Sequence, residues 1–100
     1  MAADTGAAAA RRPRVTITYC RQCNWMLRAA WLAQELLSSF PEDLAAVTLV
    51  PGTGGVFVIE CDGTRLWDRV ADGGFPEAKL LKRRLRDQIA PGRDLGHSDR

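Results

Sequence analysis

Two kinds of sequence periodicity meet in the stretch Tyr19-Cys20-Arg21-Gln22-Cys23-Asn24-Trp25. Before it, residues 14–19 alternate apolar and polar side chains with period two, which indicates a half-buried strand. After it, residues 25–40 carry apolar side chains at helical spacing. A Cys-x-x-Cys motif therefore lies where a strand passes into a helix, which is typical of thiol redox proteins when a βαβ unit follows.

The length and composition of the chain indicate one small globular domain. It has 100 residues, of which 46% are hydrophobic, enough for a single two-layer core. The 14 Lys and Arg residues exceed the 12 Asp and Glu residues by only two, which gives little reason to expect a nucleic-acid partner. No apolar run approaches the ~20 residues that a membrane span needs, and the first residues do not resemble a secretory signal. We therefore expect a cytoplasmic protein that binds neither nucleic acid nor membrane.

The chain divides into three predicted segments. Residues 1–13 are rich in Ala and end in Arg-Arg-Pro, which indicates a disordered N-terminal segment. Residues 14–90 are predicted to form the folded domain. Residues 91–100 begin with Pro-Gly and are predicted to form a flexible C-terminal tail.

The folded domain is predicted to have the element order β-α-β-β-β-α. The predicted strands and helices cover residues 14–19, 23–39, 46–50, 56–61, 64–69 and 76–89. The first helix is long enough for a parallel crossover between the first two strands, and the hairpin that follows would pair back onto the first strand. This predicts an α+β fold with a four-stranded mixed sheet in the order 2-1-3-4 and both helices on one face.

The third and fourth strands flank Asp62-Gly63, which favours a two-residue hairpin turn. That turn places four pairs opposite one another: Cys61 and Thr64, Glu60 and Arg65, Ile59 and Leu66, Val58 and Trp67. In this register Ile59 and Leu66 face the core, whereas Val58 and Trp67 share the other face. We expect that other face to be a candidate surface for dimerisation or partner docking.

Cys20 and Cys23 are the predicted catalytic residues. The thiolate is the nucleophile in thiol–disulfide exchange, and a helix N-terminus lowers the pKa of a cysteine close to it. The sequence places Cys20 near the N-cap and Cys23 in the first helical turn, with Arg21 adding positive charge. The sheet order also predicts that the glycine-containing loops 51–55 and 72–76 border the pair.

A zinc site is the main alternative for a Cys-x-x-Cys pair, but it needs two further ligands. The remaining candidates are Cys61, at the opposite edge of the sheet, and His97, in the predicted tail. We therefore predict no metal and interpret Cys61 as a small apolar core residue. An inert, buried Cys pair is a further alternative.

The chain resembles the selenoprotein W-like Rdx family (the SelT/SelW/SelH group), as a bacterial cysteine-containing member. The resemblance spans residues 14–89 and rests on Tyr-Cys-x-x-Cys, on Gly54-Gly55-Val56-Phe57, on Asp62-Gly63 with Trp67, and on Gly73-Gly74-Phe75-Pro76 before a basic helix. It implies a thioredoxin-like fold that lacks one helix of thioredoxin itself. It also implies redox reactions with protein thiols, with glutathione as a candidate thiol co-substrate.

These observations together predict a thiol–disulfide oxidoreductase or thiol-based redox regulator that acts on protein thiols and disulfides. The alternative is a redox-gated interaction module without turnover, which docks a partner through Trp31 or through the face with Trp67. The order of attack is open at this point. Thioredoxins use the first cysteine, here Cys20, whereas the resemblance favours Cys23, since selenoprotein W carries selenocysteine at that position. Gly55 stands where thioredoxins have a cis-proline.

Overall fold

The computed structural model describes residues 12–96. Its elements are β1 (Arg14–Cys20), α1 (Met26–Ser39), β2 (Ala46–Gly52), β3 (Phe57–Cys61), β4 (Thr64–Asp68), α2 (Arg69–Asp72) and α3 (Ala78–Ile89). Most of the predicted disordered N-terminal segment, residues 1–11, lies outside the described residues, as does His97. Within the described range, no helix combines the length and apolarity that crossing a membrane requires.

The four strands form one mixed sheet in the order β2-β1-β3-β4, as predicted. β1 runs parallel to β2 and antiparallel to β3, and β3 runs antiparallel to β4. The parallel pair is joined by α1, because a parallel connection must carry the chain back along the whole length of the sheet. The carboxyl end of β1 therefore lies beside the end of β2 and the beginning of β3.

The core lies on one face of this sheet, where period-two alternation places three apolar residues of each central strand. Ile17 lies opposite Ile59, and both side chains are fully buried. The helices add their buried side chains to the same cluster: Ala29, Leu32, Ala33, Leu36, Leu81 and Leu85. Each fully buried Leu or Ile contributes about 1.5–3 kcal/mol, so this shared face is what holds both helices on one side of the sheet.

The predicted register of the hairpin is correct next to the turn and wrong beyond it. Cys61 lies opposite Thr64 and Glu60 opposite Arg65, but a bulge then shifts the pairing. As a result Ile59 lies opposite Trp67 rather than Leu66. The extra residue allows Leu66 and Trp67 both to be buried, which strict alternation would not permit.

Trp67 consequently lies under α3 and not on the open face of the sheet. Its Nε1 donates a hydrogen bond to the carbonyl oxygen of Gly74 (2.8 Å), and the guanidinium of Arg84 lies over its ring. The prediction that Trp67 shares an accessible face with Val58 is therefore wrong. Val58 itself is half-buried, and docking through Val58 stays a prediction.

The chain after β4 forms the short helix α2, which sequence patterning did not predict. β4 ends at Asp68, one residue earlier than expected, and the Asp68 side chain accepts a hydrogen bond from the backbone N–H of Val70. Gly73, with φ 79°, ends the helix in the left-handed conformation. The turn removes Arg69 from the strand and brings it towards the beginning of β3.

The described part of the C-terminal segment is tied to the domain by an ion pair. The guanidinium of Arg93 donates two hydrogen bonds to the carboxylate of Asp43, at 2.6 and 3.0 Å. Leu95 also packs against the core. The flexibility of residues 91–100 stays a prediction.

Candidate functional site

Cys20 and Cys23 meet at the carboxyl end of β1, where one sulfur is buried and the other is exposed to solvent. Cys20 is the last residue of β1 and is fully buried, whereas Cys23 is exposed. The Sγ of Cys23 donates a hydrogen bond to the Sγ of Cys20 at a distance of 2.7 Å. The structure therefore brings the two predicted catalytic residues into direct contact.

Cys20 ends β1 and Cys23 lies in the loop between β1 and α1. The predictions that Cys20 lies near the N-cap and that Cys23 occupies the first helical turn are therefore both wrong. Helix α1 begins at Met26 with Trp25 as its N-cap. Asn24 has φ 60°, a left-handed conformation that interrupts a right-handed helix. The backbone N–H of Arg21 donates to the carbonyl oxygen of Gly52 (3.0 Å), which fixes the loop to the end of β2.

The environment of Cys20 favours its thiolate. The hydrogen bond from Cys23 is the main cause that lowers the pKa of Cys20, and backbone groups of Gly55, Cys23 and Gln22 lower it further. Burial of the sulfur acts in the opposite direction but does not prevail. When the reduced pair loses one proton, the negative charge is therefore favoured on the buried sulfur.

The pKa of Cys23 moves the other way. The hydrogen bond that its thiol donates to Cys20 is the main cause that raises it, with desolvation and the negative charge of Cys20 adding to the effect. A backbone hydrogen bond from Gly55 and the positive charge of Arg69 favour the Cys23 thiolate. Because the two thiols interact through this hydrogen bond, each pKa depends on the protonation state of the other.

The loop that leads into β3 borders both sulfurs, as predicted. Gly55, with φ 76°, presents its backbone to Cys20 and to Cys23. The second predicted loop supplies Phe75, whose ring meets that of Trp25 edge-on with centroids 4.8 Å apart. The loop 72–76 therefore packs against Trp25, which follows the Cys-x-x-Cys motif by two residues.

Arg69 is a site residue that the sequence analysis missed. Its Nε donates a hydrogen bond to the carbonyl oxygen of Gly55 (3.2 Å), and its guanidinium lies 5.1 Å from the centroid of the Trp25 ring. A strand over residues 64–69 would have pointed this side chain out from one face of the sheet, the same face as Arg65. The sequence does contain the signal for the turn, since Asp68 is a favourable N-cap and Gly73 follows at the C-terminus of a short helix.

Cys61 lies apart from the pair and inside the core, as predicted. It is opposite Val15 near the beginning of β1, whereas Cys20 ends that strand. Burial raises the pKa of the Cys61 thiol to about 11. Among residues 12–96, no group of three or more His, Cys, Asp or Glu side chains is placed to hold a metal ion.

The sheet order, the helices on one face and the Cys-x-x-Cys loop after the first strand define an α+β protein of the thioredoxin-like class. The family model of the Rdx family matches residues 14–87, and the chain belongs to that family. Membership suggests a redox-related function.

Two solved structures are similar to this chain over nearly their whole length. One is a protein from Bordetella parapertussis, with 64% sequence identity and a TM-score of 0.78, covering 79% of this chain and 100% of that one. The other is a selenoprotein W-related protein from Vibrio cholerae, with 57% identity and a TM-score of 0.77, covering 79% of this chain and 99% of that one. No curated protein matches the chain.

Proposed function

We propose that this protein is a thiol–disulfide oxidoreductase in which Cys23 attacks a partner disulfide and Cys20 resolves the mixed disulfide. The observation that carries the proposal is the contact between an exposed and a buried sulfur. An external disulfide has to be approached by a sulfur that solvent reaches, and Cys23 is that sulfur. Cys20, which is fully buried, can reach only a disulfide that already includes Cys23.

The first step moves a proton and forms one bond. The proton of the Cys23 thiol passes along the hydrogen bond to Cys20, which leaves the negative charge on the exposed sulfur. The Cys23 thiolate then attacks one sulfur of the partner disulfide and forms a mixed disulfide with it. The other partner sulfur leaves with the electron pair of the broken bond and takes up a proton from solvent.

The second step closes the Cys20–Cys23 disulfide. Cys20 loses its proton and attacks the Sγ of Cys23, and the second partner sulfur leaves as a thiolate. The partner has then gained the two electrons that the cysteine pair has lost. One partner sulfur carries a proton from solvent, and the other takes up the proton that Cys20 released. In the reverse direction Cys20 is the leaving group, and its lowered pKa favours that role because a more acidic thiol leaves faster.

Turnover needs a reductant for the oxidised pair. We propose protein disulfides as the substrates and glutathione as the candidate reductant: two glutathione thiols supply the two electrons and emerge as glutathione disulfide. This cycle fits the reducing cytoplasm, the location expected from the sequence, where glutathione keeps most thiols reduced. With a single regulatory partner, the same exchange would serve a thiol-based redox regulator.

Trapping of mixed disulfides tests the proposal. Cys20→Ser leaves the attacking sulfur but removes the resolving one, so this variant should accumulate disulfide-linked partner proteins in a cell lysate. Cys23→Ser should accumulate few, and Cys61→Ala, the matched control in the core, should behave like the wild type. Equal trapping by Cys20→Ser and Cys23→Ser, or none by either, would reject the assignment of roles.

A redox-gated docking module remains a second candidate because an apolar patch lies beside the pair on α1. We call Met26, Leu27 and Trp31 the outer apolar patch; 75% of the Leu27 surface and 51% of the Trp31 surface are exposed. Joint substitution of Leu27 and Trp31 by Ala tests this candidate. Loss of a captured partner in this variant, together with no catalysed reduction of a small disulfide by the wild type, would favour docking without turnover.

A further inference from the structure

We propose that Arg69 is a positioning residue for the reaction at Cys23, which holds the backbone of Gly55 against the cysteine pair and draws negative charge onto the exposed sulfur. This inference rests on the proposed function, since it concerns the step in which Cys23 becomes the attacking thiolate. It assigns a role to α2, the element that sequence patterning did not predict.

Arg69 is held by a turn with a defined backbone. It is the first residue of α2, which follows Asp68 as its N-cap. The backbone N–H of Asp68 donates to a carboxylate oxygen of Asp72 (2.9 Å), and the backbone N–H of Gly74 donates to the carbonyl oxygen of Arg69 (2.9 Å). These bonds fix the direction in which the Arg69 side chain leaves the backbone.

The side chain of Arg69 contacts both Gly55, which borders the cysteine pair, and Trp25, which follows it in the chain. Its Nε donates to the carbonyl oxygen of Gly55, and the flat face of the guanidinium packs over the Trp25 ring. Arginine suits this position because its planar group can donate in the plane and stack on an aromatic face at the same time. A lysine could keep the charge but not this combination of contacts.

Holding the carbonyl group of Gly55 also restrains the rest of that residue. The backbone of Gly55 makes a hydrogen bond that favours the thiolate form of both Cys20 and Cys23. At φ 76° this backbone is in a conformation that is open to glycine and strained for most other residues. Without the bond from Arg69, the loop would have more freedom to turn away from the sulfurs.

The charge of Arg69 acts in the direction that the first reaction step needs. The hydrogen bond to Cys20 and the negative charge of Cys20 raise the pKa of Cys23, whereas the positive charge of Arg69 lowers it. The hydrogen bond between the sulfurs keeps the charge on the buried Cys20. The positive charge of Arg69, held at Gly55, reduces the free-energy cost of moving that charge to the exposed sulfur.

The test isolates Cys23 in a Cys20→Ser background, where it titrates without its coupled partner. We would measure the rate of alkylation by iodoacetamide against pH, with mass spectrometry to identify the peptide that contains Cys23. Arg69→Gln should move the midpoint to higher pH and slow alkylation at pH 7 by about three-fold or more, because only the thiolate reacts. Arg69→Lys keeps the charge and should recover part of that rate.

Arg93→Gln is the matched control, because it also replaces a guanidinium that donates to a partner in the protein, here the carboxylate of Asp43 in the segment after α1. It should leave the alkylation midpoint unchanged. Circular dichroism would confirm that each variant is folded before its titration is compared. An unchanged midpoint in Arg69→Gln, or an equal shift in Arg93→Gln, would overturn the inference.

The role of Arg69 and the oxidoreductase function can each fail while the other stands. If Cys20→Ser traps partners but Arg69→Gln leaves the midpoint unchanged, the oxidoreductase stands and the role of Arg69 falls. If Cys20→Ser traps nothing while Arg69→Gln shifts the midpoint, the role of Arg69 in charging Cys23 stands and the oxidoreductase falls.

Discussion

The guanidinium of Arg84, on α3, lies 4.4 Å from the centroid of the Trp67 ring, on β4. The same guanidinium donates to the carbonyl oxygen of Leu66 (2.8 Å) and contacts the carboxylate of Asp72. Only 6% of the Trp67 surface is exposed beneath this cover. The tryptophan is therefore part of the packing between the sheet and α3, and its substitution should act on folding rather than on docking.

Trp67→Ala should lower the free energy of unfolding by about 3–5 kcal/mol, since it removes a large buried side chain and leaves a cavity. Urea denaturation followed by circular dichroism measures the change. Val70→Ala, at a side chain that is 76% exposed, is the control and should change stability by less than about 0.5 kcal/mol. A Trp67→Ala protein as stable as this control would contradict the packing described here.

The three cysteines should separate into two reactivity classes. In the reduced native protein at pH 7, a thiol reagent such as DTNB should react rapidly with the Cys20–Cys23 pair. Cys61 should react slowly, because burial raises the pKa of its thiol to about 11 and shields the sulfur. All three thiols should react at similar rates in urea. Rapid reaction of Cys61 in the folded protein would show that β3 opens on the time scale of labelling.

The thiolate of Cys20 should depend on the thiol of Cys23. Because the hydrogen bond from Cys23 is the main cause that lowers the pKa of Cys20, Cys23→Ala should raise that pKa. Thiolate absorbance near 240 nm, followed against pH, should therefore appear at higher pH in Cys23→Ala than in the reduced wild type. Cys61→Ala should leave the lower-pH step of the wild-type curve in place, and no shift in Cys23→Ala would contradict the assignment.

Gly54 and Gly55 form a matched pair for testing the backbone at the site. Both have positive φ, so an alanine should cost about 1–2 kcal/mol of stability at either position. A Cβ at Gly55 would lie 3.4 Å from the Arg69 guanidinium, whereas one at Gly54 would meet nothing within 4 Å. Gly55→Ala should therefore also slow alkylation of Cys23 in the Cys20→Ser background, and Gly54→Ala should not. Equal effects on alkylation would assign the change to general loosening of the loop.

The ion pair between Asp43 and Arg93 should make the attachment of residues 91–96 depend on pH. Arg93 lowers the pKa of Asp43 below its ordinary value of 3.8. The stabilisation is thus fully present above that value and is lost as the pH falls through the folded-state pKa. Amide hydrogen exchange in residues 91–96 should be faster in Asp43→Ala than in the wild type at pH 7. The two should converge as the pH falls through the folded-state pKa of Asp43. Glu42→Ala removes the neighbouring carboxylate and should match the wild type throughout this titration.

Much of the architecture could be predicted because it depends on local patterns. The alternation of residues 14–19, the helical spacing after Trp25 and the turn at Asp62-Gly63 each indicate an element without reference to the rest of the chain. The length of the first connection then restricts the topology to a parallel crossover. The sheet order and the placement of Cys61 away from the pair follow from these features.

The errors arose where non-local packing overrode a local rule. Strict alternation placed Leu66 and Trp67 on opposite faces of the sheet. In the structure both side chains are buried, because a bulge in the hairpin shifts the pairing by one residue. Helical spacing extended α1 back to Cys23, but Asn24 adopts a left-handed conformation and the loop instead bonds to Gly52. Neither outcome is encoded in the spacing of apolar residues.

The position of the two cysteines at the end of a central strand can be read from local sequence, because the period of the apolar residues changes at residues 19–25. The difference between the two sulfurs, with Cys20 buried and Cys23 exposed, appears only in the folded protein. So does the contact of Arg69, 46 residues after Cys23, with Gly55. Burial, hydrogen bonding and charge at a sulfur depend on neighbours that folding brings together, and these lie far apart along the chain.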